Sequence, residues 1–114
     1  MKIINLTQHA ATKEQIEQGL FDLDDNSELK ELLTFNDIPT SAEIQNRACA
    51  IAKIAKDSGA ECAMIGGAPF FMSALENALK EVGVQPLYAF TKRVAVEENG
   101  VKTSIFKHEG FVSV

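Results

Sequence analysis

The sequence predicts an α/β fold: a small Rossmann-like domain with a mainly parallel sheet flanked by helices and a C-terminal β-hairpin. Three features predict it. Short apolar runs at residues 2–6 and 62–65 alternate with segments of helical periodicity, the order that parallel strands joined by crossovers require. The second run breaks at Gly66-Gly67-Ala68-Pro69 before a strong helical pattern, which reads as strand, tight turn and helix. Beyond Pro86 the period changes to two on both sides of Asn99-Gly100, a dipeptide that favours a two-residue hairpin turn.

Each element has its own local cause. Residues 2–6 form the first strand, and a polar link over 7–11 leads to Thr12-Lys13-Glu14-Gln15. That is a capping-box pattern, in which hydroxyl and amide side chains satisfy each other's backbone N–H groups. The helix it starts stops at Gly19. Residues 20–26 read either as a brief strand or as an acidic loop. Residues 27–33 read as a short helix, with 32–35 running extended as the alternative. Thr40-Ser41-Ala42-Glu43 repeats the capping-box pattern. Ile44, Ala48, Ile51, Ala52 and Ala55 then share one helical face, Ile54 lies off it, and Gly59 ends the helix.

After the strand at 62–65, Pro69 takes the first helical position, where its missing N–H costs nothing. Phe71, Leu75, Ala78, Leu79 and Val82 form the buried stripe of that helix, and Gly83 marks its end. Residues 87–97 and 101–109 make the hairpin. If Asn99 and Gly100 are the whole turn, paired residue numbers sum to 199. Arg93 then faces Phe106 and Thr91 faces His108.

Composition narrows the class of function. With 114 residues, 46% hydrophobic and 24% charged, positions 1–114 suit one domain with one core. No apolar run reaches membrane-span length, and the N-terminal run turns polar too soon for a signal peptide. The expectation is a cytoplasmic protein with no membrane contact. Cys49 and Cys62 lack a C-x-x-C spacing and read as buried reduced thiols rather than a disulfide or metal site. A net charge of −5 argues against binding duplex nucleic acid. Four basic and two acidic residues at 92–107 nevertheless leave a local positive patch suited to a compact anion.

In an open parallel sheet, ligands bind beyond the carboxyl ends of the strands. Three such ends are readable: Thr7-Gln8-His9, Gly66-Gly67-Ala68, and Thr91-Lys92-Arg93. If the strands are parallel neighbours, all three face one crevice. The glycines let backbone approach a ligand, and the first N–H groups of the following helix attract anions. The alternative is that they only end a strand and start a helix. His9 carries an imidazole, the side chain suited to acid or base work near neutrality; the alternative is a capping or loop histidine on the surface. Arg93, His108 and Thr91 on one hairpin face suit a phosphate, or else make a solvated sheet face. Phe70, Phe71 and Met72 read as core or partner contacts. Asp22, Asp24 and Asp25 lack calcium-loop spacing and read as a solvated loop. With no G-x-G-x-x-G and no P-loop lysine, no dinucleotide or nucleoside triphosphate, and no cofactor or metal, is indicated by motif.

The first strand running into Thr7-Gln8-His9, the Gly66-Gly67-Ala68-Pro69 turn and the C-terminal hairpin together resemble the small Rossmann-like CRISPR-associated proteins related to CARF domains, some of which are ring nucleases. The likeness is architectural and covers most of the chain; no catalytic signature matches residue by residue. It implies a homodimer holding a small anionic ligand, a cyclic oligoadenylate, across its two-fold axis. It also implies metal-independent cleavage, in which a ribose 2′-hydroxyl attacks its own 3′-phosphate. Under that resemblance Gly67, Ala68 and Arg93 hold the phosphate, His9 is the base and His108 the acid. A non-catalytic ligand sensor and a protein-interaction module remain the alternatives.

Overall fold

The computed structural model describes all of residues 1–114. In chain order the elements are β1 (Ile3–Asn5), α1 (Lys13–Glu17), β2 (Leu20–Phe21), α2 (Ser27–Leu33), α3 (Ser41–Asp57), β3 (Cys62–Met64), α4 (Pro69–Glu81), β4 (Gln85–Glu98) and β5 (Val101–Ser113). They build one five-stranded sheet in the order β2-β1-β3-β4-β5. The first three pairings are parallel and β4–β5 is antiparallel, so the α/β class with a mainly parallel sheet is the observed one. No helix is long and apolar enough to cross a membrane.

The two faces of the sheet are covered unequally. Alternate strand residues Ile4, Leu6, Ala63 and Ile65 point into a large core with Leu29 and Leu33 of α2, Ala48, Ile51 and Ala52 of α3, and Phe71, Leu75 and Leu79 of α4. The other residues, Ile3, Leu20, Cys62, Met64 and Leu87, form a core of only five, edged by Ala11 and Phe111. The five-residue α1 lies on that second side, where Gln15 reaches Met64.

Local signals act where the sequence puts them. Thr12 and Gln15 form the complete capping box. At α3 only half forms. Thr40 Oγ1 accepts from the Glu43 N–H, but the Glu43 carboxylate turns outward to Arg47, 2.9 Å away. Arg47 also serves α2, because its Nη1 donates to the Glu31, Leu32 and Thr34 carbonyls and so caps the last turn of that helix. The open choice over 20–26 resolves into a two-residue strand beside β1 followed by a loop. Residue 33 is the last helical one of α2, and extended backbone begins at Thr34. One expectation needs correction. Cys62 is buried, but Cys49 is exposed, because its position on α3 falls off the stripe that Ala48, Ile51, Ala52 and Ala55 bury. Both thiols are free.

The hairpin is longer than its pattern suggested, and its register follows the turn. Asn99 and Gly100 both have positive φ, 52° and 77°, as a two-residue turn of this hand requires. Glu98 pairs with Val101, Arg93 with Phe106 and Thr91 with His108. A bulge between Phe90 and Thr91 then shifts the ladder by one residue, so Phe90 faces Gly110 and Ala89 faces Phe111. The sum rule therefore holds only outside the bulge.

A candidate anion-binding cavity at the strand ends

A cavity of about 610 Å3 opens at the carboxyl ends of β1 and β3, a size usual for small-molecule sites. Thr7, Gln8 and His9 form one wall, Gly66, Gly67 and Ala68 another, with Tyr88 and Ala89 of β4 beside them. Leu33, Met64 and Ile65 give it an apolar floor, and Thr12 and Gln15 close the side of α1. Two of the three expected strand ends thus meet. The third does not. β4 runs on to Glu98, so Thr91 and Arg93 sit mid-strand, past the level at which β3 stops, and neither lines the cavity.

His108 lies elsewhere as well. Its Nε2 is 2.9 Å from Gln18 Oε1, its ring meets Phe111 edge-on at 5.0 Å, and its Nδ1 is enclosed without a partner. Arg93 stacks on its cross-strand neighbour Phe106, with the guanidinium carbon 5.4 Å from the ring centre. The expected grouping of Thr91, Arg93 and His108 with the glycine turn is therefore not assembled, although the expected strand register is.

The glycine turn offers unused donors. The N–H groups of Gly66, Gly67, Ala68 and Phe70 have no backbone acceptor. Pro69 has no N–H to give, and Ala68, the N-cap of α4, provides no side-chain cap. The first N–H returned to the helix is that of Phe71, which donates to the Ala68 carbonyl. Gly67 has φ +143°, a conformation L side chains rarely adopt. Consecutive free amides at the start of a 13-residue helix attract negative charge through their own partial charges and the helix dipole.

The opposite wall is held by a residue that sequence reasoning missed. Asn5, buried at the end of β1, accepts from the Thr7 N–H and hydroxyl through Oδ1. Its Nδ2 donates to the His9 carbonyl and to Asp22 Oδ1, both at 2.7 Å. Asp22 in turn accepts from the Ala11 N–H. Instead of being merely solvated, this carboxylate clamps the loop that carries Thr7, Gln8 and His9. An Asn closing an apolar strand before a Thr was the available signal, since Asn side chains turn the backbone two residues on. Tyr88 was also missed. Its hydroxyl donates to Glu76 Oε2 at 2.6 Å. Burial, then the bond to Glu76 and its charge, pushes the phenol up to about 12, so it stays neutral at physiological pH and keeps lone pairs free to accept.

Cys62 is an inert neighbour: burial first, then the charge of Glu61, pushes its thiol up. No three His, Cys, Asp or Glu side chains come together in a way that could hold a metal ion.

With this geometry in view, comparison with known proteins adds kinship. The chain belongs to the uncharacterized protein MJ1673 family. The family's model matches residues 1–112 and so spans the cavity and the hairpin alike. No curated protein and no solved structure matches the chain. The family relationship fixes descent, and the ligand has to be argued from the cavity.

Proposed function

We propose that the cavity binds a small nucleotide-type anion, with a phosphate on the amides of Gly66, Gly67 and Ala68. The observation that carries this reading is the row of unpartnered N–H groups on a wall of a preformed, partly apolar cavity. No Lys or Arg lines it, so recognition rests on neutral donors: backbone amides and the Gln8 and Gln15 side-chain amides. Such donors favour a singly charged phosphodiester over a polyphosphate, whose charge calls for cations. The apolar floor and the Tyr88 ring suit a base or sugar.

Among phosphodiesters, the cyclic oligoadenylates implied by the resemblance come first for testing. Cleavage is the second reading, supported by His9 at the cavity wall. With His108 turned away, His9 would act there as the lone proton-transfer group, and positioning of the ribose hydroxyl would supply most of the rate.

Thermal unfolding against a panel of nucleotides, cyclic oligonucleotides and inorganic phosphate tests the binding. A ligand at 100 times its dissociation constant adds about 2.7 kcal/mol, which moves Tm by several degrees in a domain of this size. A selective shift with phosphodiesters is the expected result. No shift with any phosphate-bearing compound overturns the proposal. If products appear, His9→Ala should slow their formation by about 100-fold or more while the thermal shift persists; unchanged turnover removes the role given to His9.

A further inference from the structure

Two exposed apolar features on one side of the sheet have no partner within the chain. The first is the outer hairpin. From Thr91 to Glu98 on β4 and Val101 to His108 on β5 it extends beyond the helices, and all but Val94, Val96 and His108 are exposed. Eight residue pairs at about 3.3 Å each make an arm of about 26 Å. Alternation puts Phe90, Val94 and Val96 on the face that Tyr88 occupies, with Ile105 opposite Val94. A two-stranded ribbon is marginal alone in water, and this one presents an apolar stripe on the side where the helices lie.

The second feature is a groove of about 750 Å3 on that same side, lined by Phe35, Ile38, Pro39, Ile44 and Phe70, with Asp37 at its edge. Ile38 is 97% exposed. The groove is held in shape: Phe35 meets Phe70 and Phe71 edge-on at 5.1 and 5.3 Å. The Arg47 guanidinium lies 4.4 Å over the Phe35 ring.

Charge says what covers them. Lys92 and Lys107 pair directly across the hairpin on its apolar face, an arrangement that repels. The chain's one ion pair joins Arg47 to Glu43, so neither lysine has a counter-ion. The arm holds four basic and two acidic residues over 92–107 in a chain of net charge −5, so the rest of the molecule is acidic, Asp37 included. Arm and groove are complementary in both polarity and charge.

We infer that the partner is a second copy of this chain: each hairpin lies in the Phe35–Phe70 groove of the other, with Lys92 and Lys107 beside Asp37 of the facing copy. Reciprocal exchange uses each arm and each groove once, which closes the assembly at two.

Sedimentation equilibrium of the full chain tests this. The expected mass is twice the 12.4 kDa of one chain. Ile38→Asp and Ile105→Asp, both at exposed positions, should each weaken the dimer at least tenfold. Asp37→Lys should weaken it too, and adding Lys92→Glu and Lys107→Glu to that variant should restore it. A wild-type monomer at 100 µM (on the order of a hundred times a weak interface's need) overturns the inference. So does a dimer that Ile38→Asp and Ile105→Asp leave equally tight, or a charge exchange that brings no recovery.

Discussion

The inner and outer halves of β4 are one strand in two environments. Between Gln85 and Leu87 it pairs with β3, and from Leu87 onward with β5, with Pro86 and Leu87 buried. From Thr91 onward β3 has ended, no helix covers the strand, and all its side chains but those of Val94 and Val96 are exposed. The period-two pattern is the same throughout. What differs is whether neighbouring elements reach far enough to convert alternation into burial. The lesson is that a strand's pattern reports its conformation, while its contribution to stability depends on what lies above and below it.

Four measurements can break or sharpen that contrast. The largest effect belongs to the inner region. Leu75 is fully buried against the sheet, and Leu75→Ala should cost about 2–5 kcal/mol in urea unfolding. Arg93→Ala on the outer hairpin loses an exposed cation–π contact and should cost no more than about 1 kcal/mol. Comparable losses from the two would make the hairpin part of the cooperative core and end the distinction.

Asn5→Ala comes next. It leaves the Thr7 N–H and the Asp22 carboxylate without their buried partner, at about 1–3 kcal/mol. It should also loosen the Thr7–His9 wall, seen as faster amide exchange there. Full wild-type stability would mean that the loop does not depend on this clamp.

The third test is a pH profile. The Tyr88 phenol sits at about 12 in the folded chain against an ordinary value of 10.0. The unfolded chain therefore loses this proton first. Tyr88 contributes stability in full below about pH 10, and the contribution is lost as pH rises towards 12. Wild type and Tyr88→Phe, compared across that window, should converge in stability as pH rises. A constant difference would show that the folded phenol is not held above its ordinary value.

The smallest effect on global stability is expected from Gly100→Ala. Its φ of +77° strains an L side chain by about 1 kcal/mol. Hydrogen exchange should quicken across 91–107 while amides of β1 and β3 stay unchanged. Equal acceleration in both regions would show that the hairpin and the sheet body open together.

Much of the fold was legible because its signals are local. The Thr12 capping box, Pro69 at the first turn of α4 and the Asn99-Gly100 turn each act through backbone chemistry within a few residues. The i, i+4 stripe of α4 and the Arg93–Phe106 and Thr91–His108 pairings follow from fixed periods of helix and strand. For the same reason, the two walls made by Thr7-Gln8-His9 and by Gly66-Gly67-Ala68 could be named in advance, since both directly follow an apolar run.

The illegible parts depend on distance between elements. The local pattern ends β3 at the glycine turn and runs the hairpin strand on to 97, but nothing local says that β3 reaches only as far as Leu87 of β4, which continues to Glu98. That difference in length removes Thr91 and Arg93 from the cavity. The Phe90/Thr91 bulge shifts the ladder by one residue beside His108, whose partner Gln18 lies 90 residues away in the chain. Asn5 reads as the polar end of a strand until Asp22, 17 residues on, is brought beside it by β1–β2 pairing. The sequence by itself determined most of the elements, the Thr12 cap and the hairpin register out to the bulge, because those energies arise within one or two turns of chain. Tertiary structure alone decided which strand ends share a cavity, which carboxylate clamps a loop and which apolar faces stay uncovered. Those outcomes depend on the relative lengths and packing of elements far apart in sequence.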